Sequence, residues 1–304
     1  MRGIRAFAAS VFAVALALML CFFVVLPIPP GAARALLPKP GPGERFFQVV
    51  AHPDDDLLFM SPDLFGAVVA GRPTVTVYLT AGEGQSGLDD DHDPRAYAQD
   101  REAGVREAYA FLAGVRDEWT SSPVDAGGLR LRVDTLAQRP DIHLIFAGLP
   151  DGGDPRAEGG RGALGRLWAH TACVSRFTVR GGCLTGGNVL GMLRALYERF
   201  QPTVLRTLDP SPPDVGADHV DHVASARFAL AAAPPSLEVR SYRGYTISDL
   251  PPNLAPPIRA LKRQVFQIYR RHDYRAFMGW HYRAWLERMY RCRKPKPTPY
   301  NPQP

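Results

Sequence analysis

From residue 46 onward, short apolar runs alternate with longer stretches patterned for helix. Residues 46–51 form a compact apolar run that ends in polar residues, the mark of a buried strand. Residues 74–80, Thr-Val-Thr-Val-Tyr-Leu-Thr, are β-branched and strand-like. Residues 142–146 and 203–207 read as further short strands. Helix candidates fall at 94–113, which starts near Pro94 and is rich in alanine, and at 189–200 and 222–233. Strands alternating with helices predict an α/β domain: Rossmann-like, with a mainly parallel sheet and helices on both faces. Residues 256–272 and 277–290 read as closing helices rich in aromatics and arginine. No internal repeat and no strong boundary is visible after residue 45, so one domain is expected over 46–291.

The ends of the chain read differently. Arg2 and Arg5 precede an uncharged apolar run over 6–26, broken by Pro27, Pro29 and Pro30, and Ala33-Arg34-Ala35 fits a small-residue cleavage site. The run is long for a signal peptide and just long enough to span a bilayer. Residues 1–35 are therefore expected to be a signal peptide or an N-terminal membrane anchor, and 36–45 a linker. The protein is expected to be extracytoplasmic, either secreted or held at the membrane by this segment. Cys173 and Cys183 flank a short glycine-rich loop and are the natural disulfide pair in an oxidising compartment. Cys292 is left over. With no Cys-x-x-Cys, a thiolate zinc site is not supported.

Apolar residues make up 46% of the chain, which excludes global disorder. Three of the six net positive charges lie in residues 1–35, so the remainder has only a weak basic excess, and no nucleic-acid partner is expected. The basic, proline-rich tail over 292–304 and the arginines before it read as a solvated surface rather than a site for an anionic polymer.

The chemistry gathers where the first strand ends, in His52-Pro53-Asp54-Asp55-Asp56. In open α/β sheets, ligands bind beyond the carboxyl ends of strands. One imidazole and three carboxylates in five residues are costly to bury unpaired, and a metal offsets that cost. Histidine nitrogen and carboxylate oxygen are normal zinc ligands, and a catalytic site needs three of them plus an open position. The best source of the third is Asp218-His219-Val220-Asp221-His222, which follows the strand at 203–207 and opens a helix.

Ala51-His52-Pro53-Asp54-Asp55 together with His219-x-Asp221-His222 resembles the PIG-L / LmbE-like family of zinc-dependent N-acetylglucosaminyl deacetylases. Thr80-Ala81-Gly82-Glu83, Arg101 and Leu149-Pro150-Asp151-Gly152 support the resemblance, which covers roughly residues 46–231. It implies an LmbE-like fold and a hydrolase that removes an acetyl group from an N-acetylated amino sugar, which the N-terminal segment would make an exported one. It also implies roles: His52, Asp55 and His222 as Zn2+ ligands, with another divalent metal admissible; Asp54 as general base; His219 as oxyanion stabiliser; Asp221 as the acid that orients His219 and favours its imidazolium; and Arg101 as a substrate contact. The family usually has Glu where this chain has Asp56. It also tends to carry an acid about one helical turn after the arginine, where this chain has Gly104.

Other signals point elsewhere. Gly160 to Gly165 matches Gly-x-Gly-x-x-Gly but does not directly follow a strand, so a dinucleotide site is not expected. Asp89-Asp90-Asp91-His92-Asp93 lacks calcium-loop spacing and reads as a solvated loop. Trp280, Tyr282 and Trp285 read as packing rather than a sugar platform. The competing class is a catalytically silent carbohydrate-binding protein on the same fold.

Overall fold

The computed structural model describes residues 29–151, 163–169, 173–175, 182–212, 218–276, 281–292 and 300. At its centre lies β1 (Phe46–Val50), buried at every position. Its side chains alternate between two apolar layers: Phe47 and Val49 join one core, Val50 the other. Burial on both faces is what a central parallel strand requires. β1 pairs in parallel with β2 (Thr74–Thr80) on one side and β8 (Val204–Leu208) on the other. β5 (Arg139–Leu149) continues the parallel sheet beyond β2, and β9 (Glu238–Tyr242) beyond β8. β3 (Trp119–Ala126) and β4 (Leu129–Leu136) add an antiparallel hairpin at the β5 edge, giving the order β3-β4-β5-β2-β1-β8-β9. A separate two-stranded pair, β6 (Val174–Ser175) and β7 (Cys183–Leu184), lies outside this sheet.

Helices cover both faces. On one side pack α1 (Asp55–Phe59), α2 (Asp63–Val69), α3 (Pro94–Ala113) and α7 (Pro256–Tyr269). On the other pack α4 (Ala163–Trp168), α5 (Gly186–Phe200) and α6 (Val220–Ala232). A short α8 (His281–Trp285) closes the first side. The Rossmann-like expectation therefore holds. Chain order reverses between β1 and β8, so their carboxyl ends form a switch-point crevice. Both histidine motifs leave the sheet there.

Three features depart from the sequence reading. Hairpin β3–β4 turns through Gly127 and Gly128 at φ 56° and 81°, and neither it nor β9 was expected. Residues 36–45 are not a free linker: Leu37 is buried in the core with Ala33, and a Cβ on Gly66 would meet the Pro38 carbonyl oxygen at 2.1 Å. The acidic run at 89–93 is clasped rather than simply solvated. Arg275 reaches Asp89 and Asp90, the Tyr274 hydroxyl donates to Asp90 at 2.6 Å, and Asp93 caps α3.

Cys173 and Cys183 are bonded, with Cα atoms 5.3 Å apart. The apolar run 6–26, residues 160–162 of the glycine motif and Trp280 lie outside the described residues. Among the described residues no helix is long and apolar enough to cross a membrane.

Candidate metal centre

Asp55 shows how the local backbone builds the site. It opens α1 and folds back, so its Oδ2 accepts the N–H groups of Ala51 at 3.1 Å and His52 at 2.8 Å. Its Oδ1 then lies 3.0 Å from His222 Nε2. His52 Nδ1 sits 3.1 Å from the same His222 nitrogen and 3.4 Å from Asp55 Oδ2. All three side chains are buried, His222 completely.

The outer nitrogens set the tautomers. His52 Nε2 faces Asp151 Oδ1 at 3.2 Å, and His222 Nδ1 faces Asp218 Oδ1 at 2.7 Å. A carboxylate only accepts, so each imidazole places its N–H there. That leaves His52 Nδ1, His222 Nε2 and an Asp55 oxygen as three lone-pair donors aimed at one point. Donors bound tetrahedrally at about 2.1 Å from a zinc ion lie about 3.4 Å apart, close to the separations here. The donor set therefore fits a divalent metal. The surrounding carboxylates favour positive charge at this point: without a metal they place it on the two rings, and a metal would displace those protons. Burial disfavours a charged His52, yet Asp151 and Asp55 outweigh it and hold its pKa well above the ordinary value. His222 is pushed up to about 9: burial opposes this, and Asp55 and Asp218 prevail.

Outer carboxylates of this kind fix ring orientation and ligand basicity. Asp151→Asn or Asp218→Asn is expected to weaken zinc binding about 10- to 100-fold, read by competition with a chromophoric chelator. Unchanged affinity in both variants would show that these acids do not serve the ligands.

Asp54 diverges from Asp55 and stays outside the ligand set. It pairs with Arg101 Nη2 at 2.8 Å. Burial pushes its pKa up to about 6 against the pull of Arg101. Arg101 is itself held: Nε donates to the Tyr269 hydroxyl at 2.7 Å and lies 3.3 Å from Asp273 Oδ2, while Nη1 donates to the Gly82 carbonyl. Its buried pairing with Asp54 makes it that residue's support as well as a wall of the cavity.

Gly104 explains the missing acid one turn on. A Cβ there would stand 2.8 Å from the Tyr269 carbonyl oxygen, so no side chain fits. Asp273, from the segment after α7, supplies the carboxylate instead and also accepts from the Tyr97 hydroxyl at 2.7 Å.

Gly82, at φ +67°, is required twice over: a Cβ would lie 2.5 Å from Arg101 Nη1 and 2.6 Å from Pro53 Cδ. Gly82→Ala is expected to cost more than about 1 kcal/mol and to displace Arg101. Thermal denaturation and acetate release check it; an unchanged melting temperature would contradict the stated crowding. Glu83 accepts the Asp151 N–H at 2.9 Å and pins that turn.

His219 caps α6 and its pairing differs from expectation. Its Nδ1 accepts the backbone N–H of Asp221 at 3.2 Å. The Asp221 carboxylate instead accepts from the Gly165 N–H at 3.2 Å, with Oδ2 buried and unpaired. Asp221 thus orients His219 through its main chain, and the acid facing His219 Nε2 is Asp151, at 3.8 Å. Burial, and then the charge on His52, push His219 down to about 4. With Nδ1 accepting from the backbone, a neutral His219 carries its proton on Nε2. Asp56 faces away from the metal donors and accepts from the Tyr78 and Tyr109 hydroxyls at 3.1 and 2.5 Å.

These groups line a cavity of about 160 Å³, with His52, Asp54, Arg101, Asp151, His219 and Tyr245 among its walls. Burial, and then the charges of Asp55, Asp54 and Asp151, hold the Tyr245 phenol well above its ordinary pKa. A larger groove of about 710 Å³, bounded by residues of α3 and α7, contains none of the metal donors. Trp285 stacks on Tyr245 and meets Phe59 edge-on, so it packs, as the sequence suggested.

Three solved structures illustrate what the chain is similar to. N,N'-diacetylchitobiose deacetylase from Pyrococcus horikoshii is 14% identical, with a TM-score of 0.44 over 77% of this chain and 75% of that one. The zinc-inhibited form of teicoplanin deacetylase Orf2 is 17% identical, with a TM-score of 0.42 over 74% and 83%. GalB, a 4-carboxy-2-hydroxymuconate hydratase from Pseudomonas putida KT2440, is 13% identical, with a TM-score of 0.41 over 79% and 82%. A search of the curated proteins gave no significant match. The family model described as PIG-L, GlcNAc-PI de-N-acetylase, matches residues 47–233, well over half of the chain, with both histidine motifs inside it. The chain belongs to the PIG-L family.

Proposed function

We propose that this chain is an exported, zinc-dependent deacetylase that hydrolyses the acetamido group of an N-acetylated amino sugar, of N-acetylglucosamine type, in a glycan or glycoconjugate. The observation that carries the reading is the convergence of His52 Nδ1, Asp55 and His222 Nε2 beside a cavity that also holds Asp54. A divalent ion held there would supply Lewis acidity and bring the pKa of water toward about 7.

The chain's own groups do the rest. Asp54, fixed by Arg101, accepts the proton of the attacking water and delivers it to the leaving amine. His219 Nε2–H donates to the oxygen of the acyl group as charge builds on it. Asp151 and Asp218 hold the two ligand rings. A cavity of about 160 Å³ suits an acetamido group better than a whole oligosaccharide, so the sugar chain extends outward from it. Family membership supports the substrate class. The apolar run over 6–26 and the Cys173–Cys183 bond support an oxidising, extracytoplasmic setting, with the N-terminal segment either removed or kept as a membrane anchor.

Acetate release from N-acetylglucosamine oligomers tests the reading. The zinc-loaded protein is expected to release acetate, and a chelator to stop it. Bound zinc with no acetate release from any N-acetylated sugar would favour the silent carbohydrate-binding reading.

A further inference from the structure

Tyr245 opens a 3-10 turn, Tyr245–Asp249, that follows β9 and lies beyond the residues matched by the family model. Its position is fixed from several sides. Its backbone N–H donates to Asp218 Oδ1 at 3.2 Å, the same oxygen that holds His222 Nδ1. The preceding Gly244 lies so close to Asp218 that a Cβ would approach Oδ2 to 2.3 Å. One ring face stacks on Trp285, with centroids 4.7 Å apart and planes at 12°. The Trp285 indole N–H donates to the Tyr245 carbonyl at 3.3 Å. The ring also meets the His222 imidazole at 4.7 Å, nearly at right angles, and Phe59 at 5.9 Å.

A ring held this way has one unengaged end. Tyr245, half-buried, lines the cavity with the metal donors and Asp54, and among the described residues nothing hydrogen-bonds its hydroxyl. Here the ring is held by Trp285, Phe59 and His222, and its backbone N–H by the same Asp218 that orients His222. A phenol is protonated at neutral pH, so this hydroxyl is a donor without a protein acceptor, in the cavity that also holds the metal donors and Asp54.

We propose that Tyr245 is a catalytic residue whose O–H donates to the acyl oxygen, sharing the developing negative charge with His219 Nε2–H. The inference rests on the deacetylase reading and adds to it a donor from outside the matched family region. Tyr245 keeps its proton throughout. Water oxygen bonds to the acyl carbon, its proton passes to Asp54, and the C=O π pair moves onto the oxygen held by Tyr245 and His219. The pair then returns as the C–N bond breaks. The nitrogen keeps the bond electrons and takes the proton from Asp54, leaving a free amine and acetic acid, which gives its remaining proton to solvent as acetate.

The test compares zinc-loaded wild type with Tyr245→Phe. Zinc content and melting temperature are expected to be the same, since the lost hydroxyl has no protein partner. kcat/KM on N-acetylglucosamine oligomers is expected to fall about 10²- to 10³-fold, as for removal of one oxyanion donor. Affinity for free acetate, whose oxygen takes the same place, is expected to fall about tenfold or more. Wild-type values of both in the variant would overturn the assignment and leave the deacetylase reading standing. A wild type that releases no acetate, yet binds acetate in a Tyr245-dependent way, would sink the deacetylase reading and keep the donor.

Discussion

His222→Ala is expected to abolish metal binding and reduce acetate release to the level seen with chelator. His222 Nε2 is the hub of the donor set, 3.0 Å from Asp55 Oδ1 and 3.1 Å from His52 Nδ1. Removing it leaves two donors where a catalytic zinc site needs three. It also strands Asp55 and Asp218, both buried and both with pKa values held low; burial raises them, and the His222 charge more than offsets it. Breaking a buried pair by removing one partner costs about 3–5 kcal/mol. The variant should therefore lose stability in the metal-free state as well as metal. Zinc analysis, circular dichroism and acetate release on one preparation separate the effects. A folded His222→Ala protein with full zinc content would contradict the ligand assignment.

Asp54→Asn is expected to behave in the opposite way: zinc bound as in wild type, and kcat lower by about 10²- to 10⁴-fold. Asparagine keeps the shape and an acceptor for Arg101 but cannot take a proton. Activity of the wild type should also fall on the acid side. The base works ionised, and its pKa is pushed up to about 6 by burial against Arg101. A cation at the neighbouring donors favours the ionised form, so the acidic limb of kcat is expected at or below about pH 6. This limb should vanish in Asp54→Asn. Wild-type turnover in that variant would mean that another group moves the proton.

The converging donors left a signal in the sequence: His52 and Asp55 share one turn after β1, His222 lies three residues after His219, and the resemblance joined the two motifs. The strand context could also be read, since β1 and β2 are short β-branched or apolar runs. The supporting shell was harder. Asp151 and Asp218 stood inside quoted motifs without roles, because nothing in one dimension tells which acid meets which nitrogen. The resemblance implied that the Asp221 acid orients His219, whereas its backbone makes that contact and its carboxylate turns to Gly165. Asp273 arrives from 172 residues beyond Arg101 and Tyr245 from 190 beyond Asp55, with no local signature. Gly104 was the indirect clue to Asp273, since a lost acid beside a buried arginine must be replaced. The β3–β4 hairpin did leave a signal, Gly127-Gly128 between two β-rich runs, of the kind that favours a tight two-residue turn. Leu37 was hidden because prolines around it suggested a linker, while its burial depends on a partner surface far along the chain.

The account turns on one point in space. Diffraction from crystals of the zinc-loaded chain, recorded above and below the zinc absorption edge, locates that point directly. A single strong anomalous peak bonded to His52 Nδ1, Asp55 and His222 Nε2, with Asp54 not bonded to it, is the predicted result. A peak held by other residues, or none at these three in a zinc-saturated crystal, would contradict it.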